Sequence, residues 1–205
     1  VDIEKATDGH LFMLVGQAES VWTQYDAPTG SRSFFLYERA PDASTWTQVE
    51  TGLGDGNRID AGCAAGEGMA LANDNNMVVG PNNRPVVVRL DCKADMEGVL
   101  IYENGGQWQQ EFFTLPSTDA PYAQPSMLYS AVTNTLDVLV QSNGDIRRIT
   151  KDMGDLTVPV SLSVLSNTRK ARTLFSATVQ ADGSYWVGGT DDFHTWAWVD
   201  KYTSN

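Results

Sequence analysis

The feature that most constrains how this chain can fold is a unit that recurs four times along its 205 residues. In each unit a short turn leads into an apolar or alternating strand, and a second strand rich in aromatic and charged residues follows. In the four units, the turn and the first strand that follows it are Asp8-Gly9 and Leu11 to Val15, Asn75-Asn76 and Met77 to Val79, Asn134-Thr135 and Leu136 to Val140, and Asp182-Gly183 and Tyr185 to Val187. The second strands are Phe34 to Arg39, Val99 to Asn104, Asp145 to Thr150, and Thr195 to Tyr202. Because one small sheet cannot bury both of its faces alone, the units are expected to pack against each other.

This recurrence predicts an all-β fold in one domain over residues 1–205. Four or five blade-like antiparallel units in a β-propeller account for the length at about 40 to 50 residues per blade. The irregular spacing of the units leaves a β-sandwich or jelly roll as the alternative. Under a tenth of the residues are expected in helix, against a usual share of about a third.

Local signals add detail to this fold. Residues 126–150 read as a three-stranded antiparallel meander with turns at Thr133-Asn134 and Asn143-Gly144, since Asn-Gly favours tight hairpins. The two cysteines, Cys63 and Cys92, form a disulfide only if their strands are neighbours, and two cysteines alone do not decide this.

Two strand–turn–Trp segments resemble the bacterial neuraminidase repeat, or Asp-box, of sialidase-like β-propellers. They run from Phe35 through Asp42 to Trp46 and from Leu100 to Trp108. Asp42 and Trp46 match the repeat, Ser44 stands where the family prefers Gly, and the second segment lacks the Asp. The resemblance implies a propeller fold in which both Trp are mainly packed. It implies no activity, because the repeat is structural in enzymes and lectins alike.

Composition narrows the range of partners. The net charge of −12 repels phosphate backbones and anionic headgroups, so neither nucleic acid binding nor membrane insertion is expected. The chain carries no phosphate loop, no Gly-x-Ser-x-Gly, and no zinc or calcium spacing, so no cofactor and no metal are expected. Expected partners are a glycan or a surface protein, and the sequence leaves open a homo-oligomer or a larger assembly.

The candidate ligand-binding residues lie in two loops and their flanks. Tyr122 and Gln124 occupy a Pro-bounded polar loop, of the kind that carries binding sites on rigid β scaffolds. Trp186 and Trp196 flank residues 188–194, which contain Asp191, Asp192 and His194, and are expected to supply a stacking platform for a sugar. Trp196 and Trp198 share one face of their strand by alternation, and the alternative is that they pack between blades. The Asp-Asp-x-His segment suits a general base and is equally typical of a hairpin turn.

Strand-borne acids bear on catalysis. Glu38 and Glu103 occupy matching places in the repeat, which favours a structural role over a unique catalytic one. The sequence therefore favours a non-catalytic carbohydrate-recognition module, extracellular or on a virion surface. A glycoside hydrolase or polysaccharide lyase is the first alternative, and a structural subunit of a larger assembly is the second.

Overall fold

The computed structural model describes residues 1–18, 32–52, 59–61, 76–90, 97–114, 125–142, 145–166, 173–190 and 197–203. These residues contain no helix and form four antiparallel sheets, here called blades 1 to 4 in chain order. Blade 1 holds β1 (Asp2–Lys5), β2 (Leu11–Ala18), β3 (Arg32–Arg39), β4 (Thr47–Gln48) and β5 (Ile59–Ala61); blade 2 holds β6 (Met77–Val79), β7 (Pro85–Leu90), β8 (Glu97–Asn104) and β9 (Gln107–Thr114). Blade 3 holds β10 (Ser126–Ser130), β11 (Thr135–Ser142), β12 (Asp145–Asp152) and β13 (Ser161–Ser166); blade 4 holds β14 (Thr173–Val179), β15 (Tyr185–Thr190) and β16 (Ala197–Tyr202).

The blades are arranged radially. Blades 2 and 3 are four-stranded meanders in chain order. Blade 1 has the same order from β1 to β4, and its fifth strand, β5, also pairs with β3. The first strand of each blade contacts the first strand of the next, so that β1 meets β6, β6 meets β10, and β10 meets β14. A succession of meanders with adjoining inner strands is β-propeller architecture. The propeller expectation is thus confirmed over the sandwich.

Three apolar cores lie between successive blades. Strand β7 shows how one strand serves two of them: Val87 packs towards blade 1, while Val86 and Val88 pack towards blade 3. Strands buried on both faces read as unbroken apolar runs, which explains why β7 does not alternate in sequence. The third core joins blades 3 and 4 through Leu139 and Tyr185, both fully buried.

The hairpins between the first two strands of each blade share one chemistry. Their left-handed positions are Gly9 (φ 93°), Asn83 (φ 58°), Asn134 (φ 52°) and Gly183 (φ 78°). Glycine and asparagine adopt this conformation most readily, so these positions mark the structural repeat.

The expected placement of the second unit's turn at Asn75-Asn76 is wrong, since the equivalent hairpin lies at Asn82-Asn83, before β7. Asn76 is instead buried and its Nδ2 donates to the Val88 carbonyl at 3.2 Å. Met77 to Val79 therefore form the first strand of blade 2.

The predicted meander is confirmed, since β10, β11 and β12 are successive antiparallel neighbours with Tyr129 opposite Leu136 and Ser142 opposite Asp145. Asn143-Gly144, Cys63 and Cys92 lie outside the described residues. No helix long and apolar enough to cross a membrane occurs in the described part of the chain.

Candidate functional site

Of the residues singled out from the sequence as ligand-binding, one falls within the described part of the chain. Trp186 lies on β15, 41% exposed, on the face opposite the buried Tyr185 and Val187. It packs outward rather than into the core between blades 3 and 4. Tyr122, Gln124, Asp191, Asp192, His194 and Trp196 lie outside the described residues.

A groove between blades 1 and 2 brings together residues that the sequence did not point to as one site. One cavity of about 400 Å³ is lined by Glu50, Thr51, Gly52, Gly106, Gln107 and Trp108. A neighbouring cleft of about 450 Å³ is lined by Glu38, Ala40, Ala43, Thr45, Thr47, Gln48, Val49 and Glu50. Glu50 lines both, so we treat the two as one groove, called the blade 1–2 groove below.

Trp108, which lines this groove on the blade 2 side, is the first residue of an aromatic stripe on β9. Trp108 and Phe112 pair with Glu103 and Val99 of β8 across the sheet, and Gln110 lies between them at the same alternation. Trp108 is half-buried against the core between blades 1 and 2, while Phe112 is 61% exposed. The stripe therefore presents an aromatic, an amide and a second aromatic side chain on the face turned towards blade 1.

Two carboxylates from different blades converge on one guanidinium beside this stripe. Arg84 Nε lies 2.5 Å from Glu103 Oε2, and Arg84 Nη1 lies 3.1 Å from Glu38 Oε1. The guanidinium carbon also lies 5.4 Å from the centre of the Phe12 ring. Burial disfavours the charge on Arg84, but the hydrogen bonds to Glu103 and Glu38 outweigh it and raise the pKa of Arg84.

The expectation that Glu38 and Glu103 hold equivalent repeat positions is therefore wrong. Glu38 faces blade 2, whereas Glu103, opposite Trp108, faces blade 1. A one-residue offset between the two strands places them on opposite faces of their own sheets. The two acids thus meet across the groove instead of repeating around the ring.

His10 extends the cluster at the hairpin end of blade 1. Its Nδ1 lies 3.1 Å from Asp8 Oδ1 and its Nε2 lies 3.7 Å from Glu38 Oε1. The backbone N–H of His10 also donates to Asp8, which lowers the pKa of the Asp8 carboxyl. His10 is thereby linked to Glu38, which lines the groove.

The Trp46 turn behaves differently from its expected counterpart at Trp108. Trp46 is half-buried, and the Arg39 guanidinium lies 5.5 Å from its ring centre. Asp42 is exposed, and the turn closes through the Ala43 N–H donating to the Ala40 carbonyl at 3.1 Å. An Asp-box at this turn stays a prediction.

The groove has a sequence signal that strand alternation would have revealed. In Gln107 to Thr114, the order Trp-Gln-Gln-Glu-Phe places Trp108, Gln110 and Phe112 at alternate positions. What brings Trp108 beside Glu50 is the packing of blade 1 on blade 2.

Comparison with known proteins bears on the fold. No protein-family model matches the chain, and no curated protein matches it. The chain is similar to the Aleuria aurantia lectin in complex with Fucα1-6GlcNAc, with 9% identity, a TM-score of 0.57, and coverage of 95% of this chain and 57% of that one. A second structure of that lectin, described as a six-bladed β-propeller with a novel fucose recognition mode, matches with 11% identity and a TM-score of 0.56 over 94% of this chain and 57% of that one.

A bacterial enzyme shares the same architecture. The NanB sialidase of Streptococcus pneumoniae matches with 15% identity and a TM-score of 0.52, over 87% of this chain and 27% of that one. This chain thus spans little more than half of the lectin and about a quarter of the sialidase. At these identities the likeness establishes that the chain has a β-propeller fold of the kind found in lectins and sialidases.

Proposed function

We propose that this protein recognises carbohydrate without turning it over, as a module displayed outside the cell or on a virion surface. The observation that carries the proposal is that Trp108 and Glu50 line the same cavity of the blade 1–2 groove, with Gln110 and Phe112 following Trp108 on the same face of β9. Aromatic faces stack on the apolar faces of sugar rings, and carboxylates and amides accept or donate hydrogen bonds with the hydroxyls. The groove supplies both kinds of contact side by side.

The groove also has the shape that such recognition needs. Its two parts, of about 400 and 450 Å³, match the size of clefts that take small ligands. Exposure of the Phe112 ring to water is unfavourable. A sugar ring that covers the side chain removes that exposure and so gains binding free energy. The similarity to a fucose-binding lectin supports carbohydrate as the ligand class.

The bonding of Glu38 and Glu103 supports recognition over hydrolysis. Retaining and inverting glycosidases need one carboxyl that holds a proton and a second that attacks or activates water. Here one guanidinium donates a hydrogen bond to one oxygen of each group, so the two carboxylates are held in an ion-pair cluster of the protein's own. The alternatives are a carbohydrate-active enzyme and a structural subunit of a larger assembly.

The residues predicted from the sequence form a second proposed contact surface. Tyr122, Gln124, Trp186, Asp191, Asp192, His194 and Trp196 are proposed as ligand contacts. Among them Trp186 and Trp196 are proposed to stack on a sugar, with His194 dispensable for binding.

Phe112→Ala tests the aromatic stripe that begins at Trp108 in the groove. We expect glycan affinity to fall about tenfold, which is about 1.4 kcal/mol, with little loss of stability because the side chain is exposed. Leu162→Ala is the matched control, since Leu162 is an exposed apolar residue, 43% exposed, on the outer strand of blade 3. Affinities are measured by calorimetry with glycans that bind on an array.

Parallel arms separate the alternatives. A loss of affinity in Trp186→Ala or Trp196→Ala, with Phe112→Ala unchanged, would move the site from the groove to the second surface. A reducing-sugar assay reports any turnover, and turnover abolished by Glu38→Gln or by His194→Ala would establish the enzyme instead.

A further inference from the structure

The blade 1–2 groove carries an excess of negative charge at its described surface. Three carboxylates, those of Glu38, Glu50 and Glu103, line it or stand beside its aromatic wall. The guanidinium of Arg84 contacts two of these carboxylates, through its Nε bound to Glu103 and its Nη1 bound to Glu38. His10 lies between Asp8 and Glu38, so any charge on its ring is matched by Asp8.

Glu50 differs from the other two acids. It is exposed and lines both parts of the groove. A sugar hydroxyl that donates to this carboxylate gains a charge-assisted hydrogen bond. A sugar carboxylate or sulfate at the same place instead meets a like charge, and the described residues that line the two parts of the groove include no lysine or arginine.

We propose, resting on the carbohydrate-recognition function above, that the groove selects uncharged glycans and rejects those carrying sialic acid, uronic acid or sulfate. The Glu50 carboxylate repels a negatively charged sugar, and Arg84 is already bound to two carboxylates of the protein itself. Guanidinium groups free to form bidentate contacts are especially suited to bind a sugar carboxylate or sulfate, and here the Nε and Nη1 of Arg84 are already bound to the protein's own carboxylates. The net charge of −12 acts in the same direction at longer range.

The magnitude follows from Coulomb's law in a partly solvated groove. A unit negative charge within about 6 Å of Glu50 is repelled enough to weaken binding about tenfold at low salt. Because Glu50 is exposed, the difference is expected to shrink at about 1 M salt, where the screening length is about 3 Å. A purely steric rejection would not respond to salt in this way.

The experiment uses the full chain and paired probes. Galactose-, mannose- and N-acetylglucosamine-terminated glycans are compared with the same glycans carrying a sulfate ester, and the galactose-terminated glycan also with its sialylated form. We expect each binding neutral glycan to bind about tenfold tighter than its anionic partner in 50 mM salt. Glu50→Gln should narrow that ratio to about threefold or less. Asp155→Asn is the control, because it removes one charge from a blade 3 turn while keeping the oxygen that accepts from Thr157.

The outcomes distinguish this inference from the function on which it rests. Equal or tighter binding of the anionic partners, or a ratio unchanged in Glu50→Gln, would overturn the selectivity while leaving carbohydrate recognition standing. If neither neutral nor anionic probes bind, the proposed function fails and the selectivity fails with it.

Discussion

At the scale of single residues, the carboxylate of Asp137 lies fully buried where blade 3 meets blade 4. Arg148 Nε donates to it at 2.8 Å, the Thr150 hydroxyl donates at 2.6 Å, and the Tyr185 hydroxyl donates from the next blade. A buried charge is tolerated only when its oxygens are satisfied in this way. The network therefore fixes how blade 4 sits against blade 3.

Tyr185→Phe removes one donor from that network. We expect a loss of about 1.5–3 kcal/mol in unfolding free energy, since the bond reaches a charged acceptor. Urea denaturation measures the loss, provided that the dependence of the unfolding free energy on urea concentration is the same in both proteins. Tyr129→Phe is the control, because its hydroxyl donates at 2.8 Å to the neutral Asn134 in the same blade, so a smaller loss is expected.

The same variant has an alkaline signature. Burial raises the pKa of Tyr185, and the hydrogen bond to Asp137 raises it further, from its usual 10.0. Because the folded protein holds the phenol proton above the unfolded pKa, this stabilisation is complete below pH 10 and is lost as pH rises beyond it. The stability gap between wild type and Tyr185→Phe should therefore narrow above pH 10; a constant gap would contradict the assignment.

At the scale of elements, Gly98 lets two strands of blade 2 pair closely. It lies opposite Phe113, whose ring covers the glycine, and a Cβ at position 98 would overlap that ring. Phe113 is buried in the core between blades 2 and 3 and has little room to move. The glycine is thus required by packing and not by its backbone angles.

Gly98→Ala should cost about 1–3 kcal/mol through this overlap. The check is a double-mutant cycle with Phe113→Leu, measured by chemical denaturation. The smaller leucine side chain should relieve part of the loss in unfolding free energy caused by Gly98→Ala. The double variant should therefore lose less than the sum of the two single losses. Strictly additive losses would show that Phe113 is not the obstacle.

At the scale of the whole molecule, stability is distributed over interfaces between neighbouring blades. The interface of blades 1 and 2 combines the core around Phe12 and Val87 with the bridge from Arg84 to Glu38 and Glu103. Removing the bridge leaves two carboxylates facing each other. Its effect should be local, since the ion pairs of the two acids join described residues of blades 1 and 2.

Arg84→Gln should therefore loosen blade 1 selectively. Hydrogen exchange followed by mass spectrometry should show faster exchange in β2 and β3, with β15 and β16 unchanged. Arg84→Lys keeps the charge but loses the forked geometry, and we expect it to restore protection only in part. Uniformly faster exchange in all four blades would indicate global destabilisation in place of a broken interface.

Much of the architecture follows from local sequence patterns. Turn residues such as Asp182-Gly183, apolar runs such as Val86 to Val88, and alternation within β11 depend on neighbouring residues, so they predict strands and hairpins without tertiary information. All four predicted second strands overlap β3, β8, β12 and β16. The Asn75-Asn76 turn was misplaced because two Asn pairs stand within ten residues, and it is the left-handed backbone of Asn83 and the buried bond from Asn76 to Val88 that tell them apart.

The blade 1–2 groove could not be predicted in the same way, because its parts lie far apart in the chain. Glu38 and Glu103 match in sequence, yet a one-residue offset in strand facing turns them towards each other. Such an offset depends on which face of each sheet is buried, and packing decides that. The sequence by itself therefore determined the class of fold and the chemistry available to it, whereas only the tertiary structure decided which charges meet, because facing and contact are properties of packed sheets and not of single strands.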